Sequence, residues 1–178
     1  MNIFFTSDTH FYHANIIKYC NRPYATVEEM NEDLIKRWNA KVGKDDMVYF
    51  LGDFGLGPAI KLGEIRRQLN GRITMLRGNH DLFRISQKKW KEVVGMDEVT
   101  DMLFVHGYRL YHWPKEDHED ADWDGYYLCG HIHEKWKWCG RHYNVGVDVN
   151  NFEPISLEEM NEIAKQRQIQ EELYRLGL

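Results

Sequence analysis

Residues 2–13 read NIFFTSDTHFYH. The apolar, strand-forming run ends at Ser7, and three groups able to bind a metal follow at once: Asp8, His10 and His13. A buried strand that breaks into acidic and imidazole side chains is the way α/β folds build sites, on loops at the carboxyl ends of strands. The same pattern recurs along the chain. The runs DMVYFLG (46–52) and RITMLRG (72–78) read as buried strands. MLFVHGYRLYHW (102–113) reads as two strands around a turn at His106-Gly107-Tyr108, and GYYLCG (125–130) and HYNVGVDV (142–149) read as two more. Asp53 follows the second strand, Asn79-His80-Asp81 the third, His112 a fourth, and His131 and His133 a fifth.

Helical patterns lie between these runs. Thr26 and Glu29 stand at capping-box spacing ahead of an apolar stripe of Val27, Met30, Leu34 and Trp38. Pro58 opens a second helix with Leu62, Ile65 and Leu69 inward, and a shorter one covers about Ser86–Val94. Ser156 and Glu159 repeat the capping box before a last helix over about 156–175. Strand and helix alternate in the amino half and strands dominate the carboxyl half. The reading is a single α/β domain over 1–178 with helices outside a sheet-rich core.

Seven residues form the candidate ligand set: Asp8, His10, Asp53, Asn79, His112, His131 and His133. Each alone is weak evidence; five segments in one order, all at strand ends, are not. Asp8/His10 and His131/His133 are i, i+2 pairs, and in extended chain such pairs point the same way, so each is expected to aim two ligands at one point. Imidazole, carboxylate and amide oxygen without thiolate suit Mn, Fe, Zn, Co or Ni. Seven ligands exceed one tetrahedral ion and suit two ions about 3.5–4 Å apart that share a carboxylate, an arrangement used in phosphoryl displacement. Glycines at 52, 78 and 130 allow close backbone approach.

Composition narrows the classes. The chain has 178 residues, 43% hydrophobic and 29% charged, long enough for one real core. No run reaches the roughly 20 residues of a membrane span, and the amino terminus lacks signal-peptide organisation, so a cytoplasmic protein is expected. Three cysteines without a C-x-x-C pair argue against a disulfide framework. The net charge of −5 and the absence of a basic stripe argue against duplex DNA as a partner. The strongest charge run, Lys115–Asp124, is acidic and reads as a solvated loop close to His112.

The motifs DTH (8–10), GD (52–53), GNHD (78–81), the isolated His112 and GHIH (130–133) together resemble the calcineurin-like metallophosphoesterase superfamily, in its small single-domain bacterial and phage type. The resemblance implies a four-layer α/β/β/α sandwich with a dinuclear metal site at the strand ends. One metal would be held by Asp8, His10, Asp53 and His133, the other by Asp53, Asn79, His112 and His131, with Asp53 bridging. It implies hydrolysis of phosphodiesters or phosphomonoesters by a hydroxide bridging the two ions, with manganese the expected metal for activity. His80 stands at the family's general-acid position, and Asp81 is read as turning the loop.

In GDFGLGP (52–58), Gly57 stands where protein phosphatases of the superfamily carry a phosphate-binding arginine, which argues against that class. The expected substrate is a small, nucleotide-like phosphoester. The alternatives are a nuclease on short single strands and a non-catalytic scaffold, the latter disfavoured because every ligand position is intact. His13, Arg84, Trp113 and Trp136 are the candidate substrate contacts; Arg84 is preferred to Arg77, and Trp123, Tyr126 and Trp138 are read as hairpin packing. His13 lies where HANIIKYC turns helical, and is expected to face phosphate rather than metal.

Overall fold

The computed structural model of the chain describes residues 1–82, 84–114 and 123–176; most of the acidic 115–124 run lies outside them. In chain order the elements are β1 (Ile3–Thr6), α1 (Ala14–Tyr19), α2 (Val27–Lys41), β2 (Met47–Phe50), α3 (Ala59–Arg66), β3 (Arg72–Leu76), α4 (Asn79–Leu82) and α5 (Gln87–Lys89), which widens into a π turn over Trp90–Val94. Then follow β4 (Glu98–Thr100), β5 (Leu103–Val105), β6 (Tyr108–Leu110), β7 (Tyr126–Cys129), β8 (Trp138–Cys139), β9 (His142–Asn144), β10 (Ile155–Ser156) and α6 (Leu157–Arg175).

Two five-stranded sheets result, ordered β10-β1-β2-β3-β4 and β5-β6-β7-β9-β8. Strands β1 to β4 are parallel, with β10 antiparallel at the edge. Strands β6, β7 and β9 are parallel between antiparallel β5 and β8. Parallel pairing sends the carboxyl ends of β1, β2 and β3 to one edge of the first sheet, and those of β6, β7 and β9 to one edge of the second. The two edges meet, because Ser7 bridges Gly146 and Val147 N donates to Ser7 O at 3.2 Å.

Period-2 alternation sorts the cores. Phe4, Val48, Phe50, Ile73 and Met75 join Met30, Leu34 and Trp38 of α2 and Leu62 and Ile65 of α3 in one apolar cluster. The opposite side, Phe5, Leu51 and Leu76, meets Leu110, Leu128 and Tyr143 of the second sheet and Met160 and Ala164 of α6. The first sheet is therefore buried on both faces, which is why its strands are apolar throughout.

Several local expectations change. The run 142–149 stops as a strand at Asn144 and becomes a 3₁₀ turn over Val147–Val149, because Asn144 Oδ1 accepts from Gly146 N at 2.8 Å and folds the backbone back. The short pieces β4, β8 and β10 are too brief for the pattern to announce. At Thr26 only half of a capping box forms: Thr26 Oγ1 accepts from Glu29 N at 3.2 Å, while the Glu29 carboxylate accepts from Ala25 N at 2.8 Å. The box at Ser156 is complete, with Ser156 N donating to Glu159 at 2.7 Å and Glu159 N to Ser156 Oγ at 3.1 Å. The β5–β6 turn is at His106-Gly107, both left-handed at φ 51° and 82°, as a two-residue hairpin with right-handed strand twist requires. No helix among the described residues is long and apolar enough to cross a membrane.

The start of α6 follows β10 directly, so its cap also fixes an edge of the first sheet. Ser156→Ala is expected to cost about 1 kcal/mol in denaturant unfolding with an unchanged m-value.

Candidate metal centre

The loops at the strand ends bring all seven candidate ligands together, though not from extended chain. Asp8, His10, Asp53, His131 and His133 all adopt left-handed backbone, with φ of 58°, 51°, 59°, 72° and 49°. The paired geometry expected of an extended i, i+2 segment is replaced by two left-handed residues flanking one ordinary one. The strand has ended, and the backbone coils to turn both side chains inward. Such conformations cost non-glycine residues on the order of 1–3 kcal/mol each and persist only where neighbours enforce them.

The enforcement is visible. Asp8 N donates to Gly52 O at 3.0 Å and His10 N to Asp53 O at 3.1 Å, tying the first loop to the second. The buried Asp81 carboxylate accepts from Asp53 N at 2.6 Å and Gly78 N at 2.8 Å, tying the second loop to the third. His131 N donates to the Asp8 carboxylate at 3.0 Å, which closes the ring onto the second sheet. Gly78 is needed for this packing, since a Cβ there would fall onto the Asp53 carboxylate and within 2.6 Å of Asp53 N.

Within that frame Asp53 Oδ2 lies 3.6 Å from His10 Nε2 and 3.5 Å from His112 Nε2. Asn79 Oδ1 lies 3.0 Å from both His112 Nε2 and His131 Nδ1. Among the described residues four sets have ligand atoms mutually within 4.8 Å: Asp8, His10 and His133; Asp53, His112 and His131; His10, Asp53 and His80; and Cys20, His133 and Asp148. The first two are made wholly of the predicted ligands. His112 Nδ1–H donates to Leu51 O at 2.7 Å, and His133 Nδ1–H to Asp148 Oδ2 at 2.9 Å, so the Nε2 atom of each is left for the centre.

Charge and burial suit a cation. Among the described residues both ring nitrogens of His10 are buried without a hydrogen-bond partner, and burial pushes the His10 pKa well down. An orphaned, neutral imidazole among carboxylates is a donor set that a divalent ion completes. Burial also raises the pKa of Asp8. Asp53 is held down at about 2: burial opposes its charge, but the His112 hydrogen bond and charge outweigh burial. His112 is correspondingly raised to about 9 by Asp53, against the pull of burial. Asp81 is pushed up to about 7 by burial and by the Asp53 charge.

The other sequence candidates sort by position. His80 is 35% exposed, with its Nε2 4.0 Å from Asp53 Oδ2 and its backbone N–H on Asp53 Oδ1 at 3.0 Å. The His13 ring centroid is 5.3 Å from that of His10 and 5.9 Å from that of His80. His13 precedes the six-residue α1, and no cap bond from its side chain forms. Burial lowers its pKa first, then the charges of His80, Arg22 and Arg84. Arg84 is exposed. Trp113 is 41% exposed, its ring 4.9 Å from His112 and 5.6 Å from His131. Trp136 is half-buried, and its carbonyl accepts from Asn144 Nδ2 at 3.0 Å. Arg77 turns away to pair with Asp101 at 2.7 and 2.8 Å. Trp138 packs on Tyr126 and Tyr143, and Trp123 on Phe104.

Two residues of the site escaped the sequence reading. Arg22 is fully buried and binds Asp148 with both ends of its fork. Asp148 in turn orients His133. Their separation of 126 residues hides the pairing from any local pattern.

The calcineurin-like phosphoesterase superfamily domain matches residues 1–147. The chain belongs to that superfamily. It is 41% identical over 167 residues to an uncharacterized protein of Methanocaldococcus jannaschii, covering 88% of this chain and 87% of the relative. It is 39% identical over 84 residues to the gene 66 protein of Mycobacterium phage L5, covering 45% of this chain and 40% of the phage protein. A protein of unknown function from Aquifex aeolicus has a similar crystal structure, with a TM-score of 0.73 at 25% identity over 91% of this chain and 98% of that one. Membership in this family supports metal-dependent phosphoester hydrolysis as the general chemistry, and the Asp and His clusters are suited to divalent metal.

The His112–Asp53 pair makes the metal-free protein pH-sensitive in a defined direction. Because the folded pKa of His112 is raised, its stabilisation is complete below the unfolded value of about 6.5 and is lost as pH rises through about 9. Chelator-treated protein is expected to lose Tm between pH 7 and 9.5, and His112→Gln to flatten that slope.

Proposed function

We propose that the protein is a hydrolase of small phosphodiesters or phosphomonoesters, nucleotide-like ones among them, working with two divalent ions in a four-layer α/β/β/α frame. The observation that carries this reading is the orphaned His10 imidazole between two convergent carboxylate–imidazole sets. Asp8, His10 and His133 would hold one ion and Asn79, His112 and His131 the other, with Asp53 between them. Ions so held supply an activated water and neutralise charge on the phosphate oxygens, with manganese, iron, zinc, cobalt and nickel all suited to the ligands.

The chain's own residues supply the rest. His80 faces outward beside Asp53 and is placed to protonate the departing alkoxide, a role worth about 10²–10⁴-fold in rate. Asp81 and Gly78 hold Asp53 in register. His13 stands beside His10 and His80, where a phosphate's remaining oxygens would sit, the exposed Arg84 would be a further phosphate contact, and the open indole of Trp113 stands beside His112 and His131. That exposed ring favours a substrate with a flat group and supports, as a second reading, cleavage of short single-stranded oligonucleotides. Duplex DNA and membranes are not expected partners of a chain with net charge −5. Its three free thiols fit the reducing cytoplasm.

The manganese-loaded protein should hydrolyse at least one of bis-p-nitrophenyl phosphate, p-nitrophenyl phosphate, a cyclic nucleotide or a short oligonucleotide. Inactivity on all of them, with two ions confirmed by elemental analysis, would count against an enzyme. His80→Ala should lower kcat by about 10²–10⁴-fold with both ions retained, whereas Asp53→Asn should lose ions and activity together. Trp113→Ala should raise KM for an aromatic diester by roughly tenfold and leave metal content unchanged.

A further inference from the structure

Arg22 uses every donor it has. Its Nε and Nη2 donate to the two Asp148 oxygens at 2.7 and 3.0 Å, and Nη2 also donates to Asp8 O at 2.7 Å. Nη1 donates to Thr9 O at 2.9 Å and reaches Met30 Sδ at 3.4 Å. Its five N–H groups are thus all engaged, on a side chain with no solvent exposure. The oxygen targets share one feature. The Asp8 and Thr9 carbonyls belong to the turn that aims Asp8 and His10, in which Asp8 and His10 are left-handed, and Asp148 orients His133. None of the donors goes to the segments bearing Asn79, His112 or His131. A buried ion pair that served packing alone would have no reason to address one ligand set and not the other.

We propose that Arg22 is a positioning residue that assembles one half of the metal centre, joining the β1 loop to the turn after β9 so that Asp8, His10 and His133 form a single ligand set. The inference rests on the two ligand sets described above. It is specific to the guanidinium fork: a lysine ammonium keeps the charge but offers three donors from one point and cannot span Asp148 and two carbonyls together. Partners that orient metal ligands in this way typically change metal affinity 10–100-fold. Here the change should fall on one ion alone.

The test is cobalt and manganese uptake by the full chain, followed by visible spectroscopy and elemental analysis, with folding checked by circular dichroism. Wild type should take up two ions. Arg22→Lys and Asp148→Asn should each retain one at wild-type affinity and bind the other 10–100-fold more weakly. Two ions at wild-type affinity in both folded variants, or equal weakening of both ions, would overturn the proposal. A wild-type chain that binds fewer than two ions overturns the ligand-set reading, and this inference falls with it. If neither variant folds, long-range ¹H–¹⁵N spectra of zinc-loaded wild type decide: a proton on His133 Nδ1 with metal at Nε2 supports the clamp, and the reverse arrangement overturns it.

Discussion

Left-handed backbone at Asp8, His10, Asp53, His131 and His133 is the constraint that the surrounding loops are organised to satisfy. An L-residue reaches that conformation at a cost, so each one has to be held from outside. The holding groups are themselves part of the site. The Asp8 carboxylate accepts His131 N–H, the Asp53 carboxylate accepts His80 N–H, and the Asp81 carboxylate accepts Asp53 N–H. Acidic side chains here act as acceptors for the backbone as much as candidate ligands. The cross-bracing that brings the candidate ligands together is made of hydrogen bonds between protein groups.

The sheets supply the stage for this bracing. Parallel strands deliver successive loops to one edge, and two parallel sets joined at Ser7 and Gly146 deliver them to one point. Beneath the loops lie two apolar clusters that include Phe5, Leu51 and Leu128 on one side and Phe11, Phe50 and Phe54 on the other. Because water is excluded from below, charges at the strand ends are felt strongly, and burial dominates the pKa of His10 and Asp8. Lost hydration must be replaced by a partner charge. Asp53 Oδ2 stands 3.5 Å from His112 Nε2 and 3.6 Å from His10 Nε2, but burial still keeps the His10 pKa low and its ring nitrogens make no hydrogen bond among the described residues, so it is the residue whose environment most asks for a cation.

How much of this was legible in the sequence depended on range. Strands β1, β2, β3 and β7 announce themselves by apolar runs that end in Asp, Asn, His or Gly, and the capping residues mark α2 and α6. The candidate ligands are legible for the same reason, since each lies within a few residues of a strand end. The left-handed backbone at Asp8 and His10 was not, because extended chain is the default reading of a segment that continues a strand. Asp148 was hidden inside a run, HYNVGVDV, whose alternation imitates a strand until Asn144 folds it back. Arg22 sits in a stretch with no periodicity, Cys20-Asn21-Arg22-Pro23, and its role depends on a carboxylate 126 residues away. Single-sequence patterns register local geometry, and the supports of a site are the least local thing about it.

Burial supplies a final distinction between groups suited to metal and groups suited to substrate. Asp8, His10, Asp53 and His112 are sealed from solvent, where an ion can be stripped of water and held by fixed donors. His80 and Trp113 stand beside the ligands with open surface, and His13 beside them is half-buried. A group that must meet many molecules in turn cannot be sealed, and a ligand that must hold one ion permanently gains from being so. The open part of the site carries the imidazoles of His13 and His80 next to His10, and the indole of Trp113 next to His112 and His131. Buried Asp and His clusters suited to a divalent ion agree with the general chemistry of the family to which the chain belongs.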